Sequence, residues 1–209
     1  MKKRNKIKDL WKKFWFLLWK DDSLKGWIFS IVFIFVFIKF IFFPGLSFIT
    51  GTTLPLAIVE SCSMYHDGNL ISNYDSWYDR HNEKYSDFEI EKGAFKEFKF
   101  KNGFNKGDIL FIIGRDSSDL DVGDVIIFSA GTRNPIIHRI IEINEKNGER
   151  IFSTIGDNNG KQLVLEKEIN SDNIVGKATF KLAPYLGWIK LIFFEGSKPT
   201  SDRGFCQEN

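Results

Sequence analysis

From Trp27 to Phe43 the chain reads WIFSIVFIFVFIKFIFF, with Ser30 and Lys39 as the only polar side chains, and apolar character continues through Leu46, Phe48 and Ile49. Roughly 20 such residues span a hydrocarbon core of ~30 Å as a helix. A buried core helix of this length would keep a polar stripe, which Lys39 alone does not make. Lys39 lies toward the C-terminal half, where its long stem lets the ammonium reach the interface. The run exceeds the usual apolar region of a cleaved signal sequence and no small-x-small site follows promptly, so a retained transmembrane anchor over 27–49 is predicted. Upstream, Leu10 to Trp19 (LWKKFWFLLW) mixes large aromatics with lysines and is too short to span. It reads as a helix lying in the inner membrane interface.

Beyond residue 50 the pattern changes to short runs rich in β-branched and aromatic residues, separated by Gly, Asn, Asp and Lys. LAIVE (56–60), DILFII (108–113), DVIIFS (124–129), IIHRIIEI (136–143), RIFSTI (150–155) and VGKATFKL (175–182) read as strands. Asn147-Gly148, between the fourth and fifth runs, supplies residues that tolerate positive φ in a tight hairpin. The prediction is a mostly β, antiparallel domain over 50–195. Between about 67 and 105 the chain is polar and aromatic with no clean period of 2 or 3.6, and is read as an insertion holding a short helix or two. The stretch 196–209 reads as a polar, loose tail.

A chain of 209 residues has room for one ordinary domain plus an anchor. The formal net charge of +2 gives no ground for a nucleic-acid partner, but its distribution matters. Residues 1–26 carry nine basic side chains against three acidic ones, immediately before the apolar run. The positive-inside tendency therefore predicts a single-pass protein of the cell membrane, with its N-terminus cytoplasmic and everything after about residue 50 outside. The two cysteines, Cys62 and Cys206, form no framework by spacing, so a bridge between them is unsupported and the redox compartment stays open. His66, His81 and His138 match no zinc spacing, and no metal or other cofactor is expected.

Candidate chemistry lies in three places. Ser61-Cys62-Ser63 follows the first short strand; a serine in a turn is by itself more often a hydrogen-bonding residue than a nucleophile. His138 sits in the middle of an alternating strand, and a neutral imidazole can take a proton from a serine hydroxyl. Asp157, in the Gly-bounded loop Ile155-Gly156-Asp157-Asn158-Asn159-Gly160, is either an Asx-turn residue or the carboxylate that holds His138 in the right tautomer.

At these residues the chain resembles type I signal peptidases, specifically the archaeal and endoplasmic-reticulum branch in which histidine replaces the general-base lysine. The resemblance runs from the anchor to about Ile192. It rests on Ser-x-Ser-Met at 61–64, Gly-Asp-Ile-Leu at 107–110, Val-Gly-Asp-Val-Ile-Ile-Phe at 122–128, Ile-Ile-His-Arg-Ile-Ile at 136–141, Gly-Asp-Asn-Asn at 156–159 and Pro-Tyr-Leu-Gly-Trp-Ile-Lys at 184–190, all in order behind one anchor. It implies a twisted, mostly β catalytic domain lying against the membrane, with Ser63 as nucleophile, His138 as base and Asp157 as the assisting carboxylate. Ser61 and the Ser63 backbone N–H would bind the oxyanion. The implied substrates are the signal peptides of exported preproteins, cut after small residues at the first and third positions; the lipid bilayer and the protein-translocation machinery are the other implied partners.

Two departures stand out. The family's Ser-Met-x-Pro is here Ser63-Met64-Tyr65-His66, which makes His66 a second candidate base, ranked below His138 because it shares the nucleophile's own turn and has no positioned carboxylate. Where relatives carry another aspartate, five or six residues after Asp157, this chain has Gln162 and Leu163, and Glu166, Glu168 or Asp172 are the candidate replacements. Met64 and Tyr185 to Phe194 are read as a membrane-interfacial surface, with a buried strand or core helix as the equal alternative for the latter. Two rival functions are a protease dedicated to one precursor and a membrane-anchored binding module in which Ser, His and Asp are incidental.

Overall fold

The computed structural model describes residues 2–68, 74–132 and 134–207; within the insertion, residues 69–73 lie outside the description. The chain divides into two units, residues 1–49 and 50–209.

In the first unit, α1 (Lys2–Trp19) starts earlier than the aromatic pattern alone implied. Ser23 then caps α2 (Leu24–Phe37), accepting the Gly26 N–H on its hydroxyl at 3.3 Å. The helix continues through Ile38–Phe42 into α3 (Phe43–Thr50). Pro44 has no N–H to give to the ladder, and just before it the chain widens into a π-turn in which Phe43 N–H reaches Ile38 O. The apolar helix Leu24–Thr50 has 27 residues, about 40 Å at 1.5 Å per residue, long enough to cross a membrane. Phe14 of α1 packs edge-on against Phe33 and Phe29 of α2, at 5.1 and 5.8 Å, and Ser30 Oγ donates to Leu18 O at 3.1 Å.

The second unit is a seven-stranded, wholly antiparallel sheet in the order β1-β2-β7-β3-β4-β5-β6. Its strands are β1 (Leu56–Ile58), β2 (Ile109–Ile113), β3 (Val125–Phe128), β4 (Ile136–Lys146), β5 (Glu149–Ile155), β6 (Ile169–Asn170) and β7 (Ile174–Ala183). Six coincide with the six apolar runs; the two-residue β6 is too short to have a period. β4 and β5 close through Asn147 and Gly148, at φ of 57° and 82°, the left-handed pair that a two-residue hairpin requires. β3 is buried at all four positions because both of its faces are covered. Val125 and Ile127 join Leu110, Ile112 and Ala178 on one side, while Ile126 and Phe128 join Ile140, Phe152 and Ile169 on the other.

Among its described residues the insertion carries three short helices, α4 (Tyr74–His81), α5 (Glu83–Ser86) and α6 (Lys92–Glu97). Their aromatic residues, Trp77, Tyr85 and Phe95 above all, bury themselves with Ile141 of β4 and Ile155 of β5. The stretch with no readable period is thus a second apolar cover for the sheet. A further short helix, α7 (Trp188–Leu191), follows β7. The tail does not behave as a loose segment: Cys206 is disulfide-bonded to Cys62 across 144 residues. Sequence spacing had supplied no ground for that bridge, since it joins the chain end to the turn after β1 through the tertiary fold.

Candidate active site

Ser63 lies in the turn that leaves β1. Two neighbours and one residue of its own hold that turn: Asn158 N–H donates to Ser63 O at 2.7 Å, Phe104 N–H donates to Met64 O at 2.7 Å, and Met64 itself is buried in the core. Met64 is therefore a packing residue and not part of a surface. The Ser63 hydroxyl hydrogen-bonds the Ser61 hydroxyl at 3.1 Å.

His138 comes from β4, opposite Ile126 of β3. Its Nδ1 is bonded to Glu166 Oε1. A carboxylate only accepts, so in the neutral imidazole it is Nδ1 that carries the proton and Nε2 that keeps the lone pair. Glu166 is fully buried and held by its own turn: Leu163 N–H donates to its Oε2 at 2.7 Å, and Gln162 Nε2 donates to its backbone O at 3.2 Å. Gly156 sits between the two candidate residues. A Cβ there would stand 2.8 Å from His138 Nε2 and 2.8 Å from Ser63 O, so only glycine allows this approach.

Ser63 and His138 both line a cleft of about 630 Å³, whose walls are mainly Leu54, Leu56, Ile58, Ile127, Ile136 and Leu163. Ser61 and Asn159 lie at the same cleft.

Asp157 is placed elsewhere. Its carboxylate takes a bidentate pair of bonds from Arg139, Nε to Oδ1 at 2.9 Å and Nη2 to Oδ2 at 2.6 Å, together with Tyr85 OH at 3.0 Å and His66 Nε2 at 2.9 Å. The reason is strand geometry: His138 and Arg139 are consecutive on β4, so their side chains leave opposite faces. Burial alone would raise the Asp157 carboxyl, but the Arg139 charge beside it and the bonds from His66 and Arg139 hold it far below the usual carboxylate range. Burial lowers the His66 imidazole below its ordinary value, and Arg139 and Lys84 push the same way against the bond to Asp157. His66 stacks on Trp77 at 3.5 Å, and its Nδ1 is buried without a hydrogen-bond partner.

Of the three acids open after Gln162 and Leu163, Glu168 is exposed against Lys146 and Asp172 lies in the turn before β7, leaving Glu166 on His138. Past β7, Leu191 is buried while Ile189, Ile192, Phe193 and Phe194 are exposed, so the 185–194 segment presents apolar side chains outward.

No protein-family profile matches the chain. It is 34% identical over 96 residues to the signal peptidase complex catalytic subunit SEC11C of Homo sapiens, covering 43% of this chain and 50% of that protein. It is 28% identical over 167 residues to the signal peptidase complex catalytic subunit SEC11 of Eremothecium gossypii, covering 75% of each. The match to the protein of that name from Scheffersomyces stipitis is 32% over 99 residues, 44% of this chain and 58% of that one. The chain thus spans about half the length of the first curated relatives it matches. Homologues named as signal peptidase complex catalytic subunits are thus consistent with the resemblance that the ordered motifs carry.

Proposed function

We propose that this chain is a membrane-anchored serine endopeptidase that removes signal peptides from exported preproteins. The carrying observation is that Ser63 and His138 line one apolar cleft while the far nitrogen of His138 is tied to the buried Glu166.

The substrate enters as an extended strand, held by main-chain hydrogen bonds, with small side chains selected by the cleft walls. His138 Nε2 takes the proton from Ser63 Oγ as the hydroxyl attacks the scissile carbonyl. Charge developing on the carbonyl oxygen is met by the Ser63 N–H and the Ser61 hydroxyl. The imidazolium returns its proton to the leaving amine, and a water activated by the same nitrogen releases the acyl group. Glu166 keeps Nδ1 protonated throughout and stabilises the imidazolium. Asp157 acts one step back, by locking the 156–159 loop and the nucleophile turn against Arg139.

The apolar helix anchors the enzyme with its basic N-terminal flank in the cytoplasm and the β unit outside the cell membrane. Sharing one bilayer with the substrate raises their effective concentration, and puts the bilayer and the translocation machinery among the partners. The test is cleavage of a preprotein with an Ala-x-Ala site, in detergent or liposomes, by wild type beside Ser63→Ala, His138→Ala and His66→Ala. Loss with the first two but not the third is expected; cleavage surviving Ser63→Ala would sink the proposal.

A further inference from the structure

The C-terminal tail is anchored far more firmly than a polar terminus needs to be. Lys106, whose side chain is 1% exposed, donates through Nζ to Glu195 Oε2 at 2.8 Å, Asp202 O at 2.6 Å and Gly204 O at 3.1 Å. Glu195 Oε2 also accepts the Gly204 N–H at 2.8 Å, and Arg203 closes the loop by donating to Lys198 O and Gly196 O at 2.8 and 2.9 Å. Burial would raise the Glu195 carboxyl, but the bonds from Lys106, Gly204 and Lys198 hold it at about 2, so this knot stays charged and closed at neutral pH. Phe205 packs on Trp188 at 5.0 Å.

From that knot the tail grips the nucleophile turn on both sides. Lys198 Nζ donates to Glu60 O at 2.9 Å, just before Ser61. Cys206 bonds covalently to Cys62, between Ser61 and Ser63. Asn158 Nδ2 then joins the two segments, donating to Cys62 O at 3.1 Å and Gln207 O at 3.2 Å. Lys198 also forms part of the wall of the cleft.

We propose that the tail is a positioning strap for the nucleophile turn, and that the Cys62–Cys206 bridge sets the geometry of Ser61 and Ser63 for proton transfer and oxyanion binding. This rests on the proteolytic reading above. A displacement of the order of 1 Å in such a turn lowers the rate by up to ~10²-fold without removing any reacting group. A dithiol opens the strap: two electrons and two protons convert the one S–S bond into the Cys62 and Cys206 thiols, and the dithiol becomes a disulfide.

The test measures kcat and KM for preprotein cleavage, well below the melting temperature, with oxidised wild type, dithiol-reduced wild type and Cys206→Ser. We expect kcat to fall about 10-fold or more on reduction and in Cys206→Ser, with KM changed less than about 3-fold, and kcat to recover when the reduced wild type is reoxidised. A bridge that only stabilises would lower the melting temperature and leave kcat of the folded enzyme alone, and that result overturns the strap. Should Cys206→Ser fail to fold, the reduced wild type, with both thiols counted by alkylation, decides in the same way. An oxidised wild type that cleaves nothing would overturn the proteolytic reading and the strap with it.

Discussion

His138 with Glu166 and His66 with Asp157 are both imidazole–carboxylate pairs, both buried, and both carboxylates come from the connection between β5 and β6, while the histidines come from β4 and from the turn after β1. In the first pair the carboxylate is bonded to His138 Nδ1 and to Leu163 N–H, and the other imidazole nitrogen approaches Gly156 beside the Ser63 turn. In the second the carboxylate is already satisfied by Arg139 and Tyr85, and the histidine lies flat on Trp77 with its remaining nitrogen enclosed. An imidazole on a carboxylate is therefore not by itself a mark of catalysis. What separates the two is their surroundings: His138 lines a cleft that Ser63 also lines, whereas the second nitrogen of His66 is enclosed in aromatic packing.

The most decisive way to break this contrast is to remove each imidazole in turn. His138→Ala should lower kcat for preprotein cleavage by at least about 10³-fold, as loss of a general base does where nucleophile and base act as a unit. His66→Phe, which keeps a ring on Trp77, should retain cleavage within a few-fold. Equal losses in the two, measured on folded protein, would erase the distinction.

Glu166→Gln sharpens the same comparison with a smaller effect. An amide in place of the carboxylate can present its N–H to Nδ1, which reverses the tautomer and moves the proton to the nitrogen that should accept it. Between about 10²- and 10⁴-fold should be lost from kcat, with KM little changed. Asp157→Asn should behave differently, because it leaves the Arg139 charge buried without its partner. A destabilisation of about 3–5 kcal/mol is expected from chemical denaturation. An unchanged denaturation midpoint combined with lost kcat would instead return Asp157 to a direct part in the proton transfer.

The assignment of carboxylates shows what could be read in the sequence and what could not. The long apolar helix, six strands, the Asn147-Gly148 hairpin and the shared cleft of Ser63 and His138 follow from local patterns and ordered motifs. Which acid meets His138 does not. Residues 138 and 139 are adjacent and face opposite ways, so a carboxylate after β5 could serve either one, and only the twist of the sheet and the turn at 163–166 decide. That turn is a single winding stabilised by Glu166 itself, through the bond from Leu163 N–H. Parity was the available signal: a strand that presents His outward to a cleft presents its neighbouring Arg to the opposite side, where it needs an acid of its own. The Cys62–Cys206 bridge was hidden for a related reason, because no local pattern records that residue 206 returns to the first strand. The short helices expected in the insertion are there, but their bounds were not legible, because its aromatics face one another as well as the sheet, which blurs any amphipathic period.

The smallest effect concerns pH, and it isolates His66. Its imidazole is held below the ordinary value by burial, with Arg139 and Lys84 adding to the effect of enclosure and Asp157 opposing it. In the unfolded chain the same group takes up a proton near ~6.5. Stability from this residue is thus fully present above about pH 6.5 and is lost as pH falls from there through the folded-state value, because the unfolded state then binds the extra proton. The slope is at most about 1.4 kcal/mol per pH unit for one proton. Asp157 contributes in the same direction but only below about pH 4, where the unfolded carboxyl begins to protonate while the folded one, beside Arg139, does not. Denaturation midpoints followed from pH 8 to pH 3 should therefore fall in two stages, and His66→Phe should flatten the first while leaving the second. A first stage that persists in His66→Phe would place the responsible proton on another group, and would mean that the enclosed imidazole is less sheltered than its packing against Trp77 and Asp157 implies.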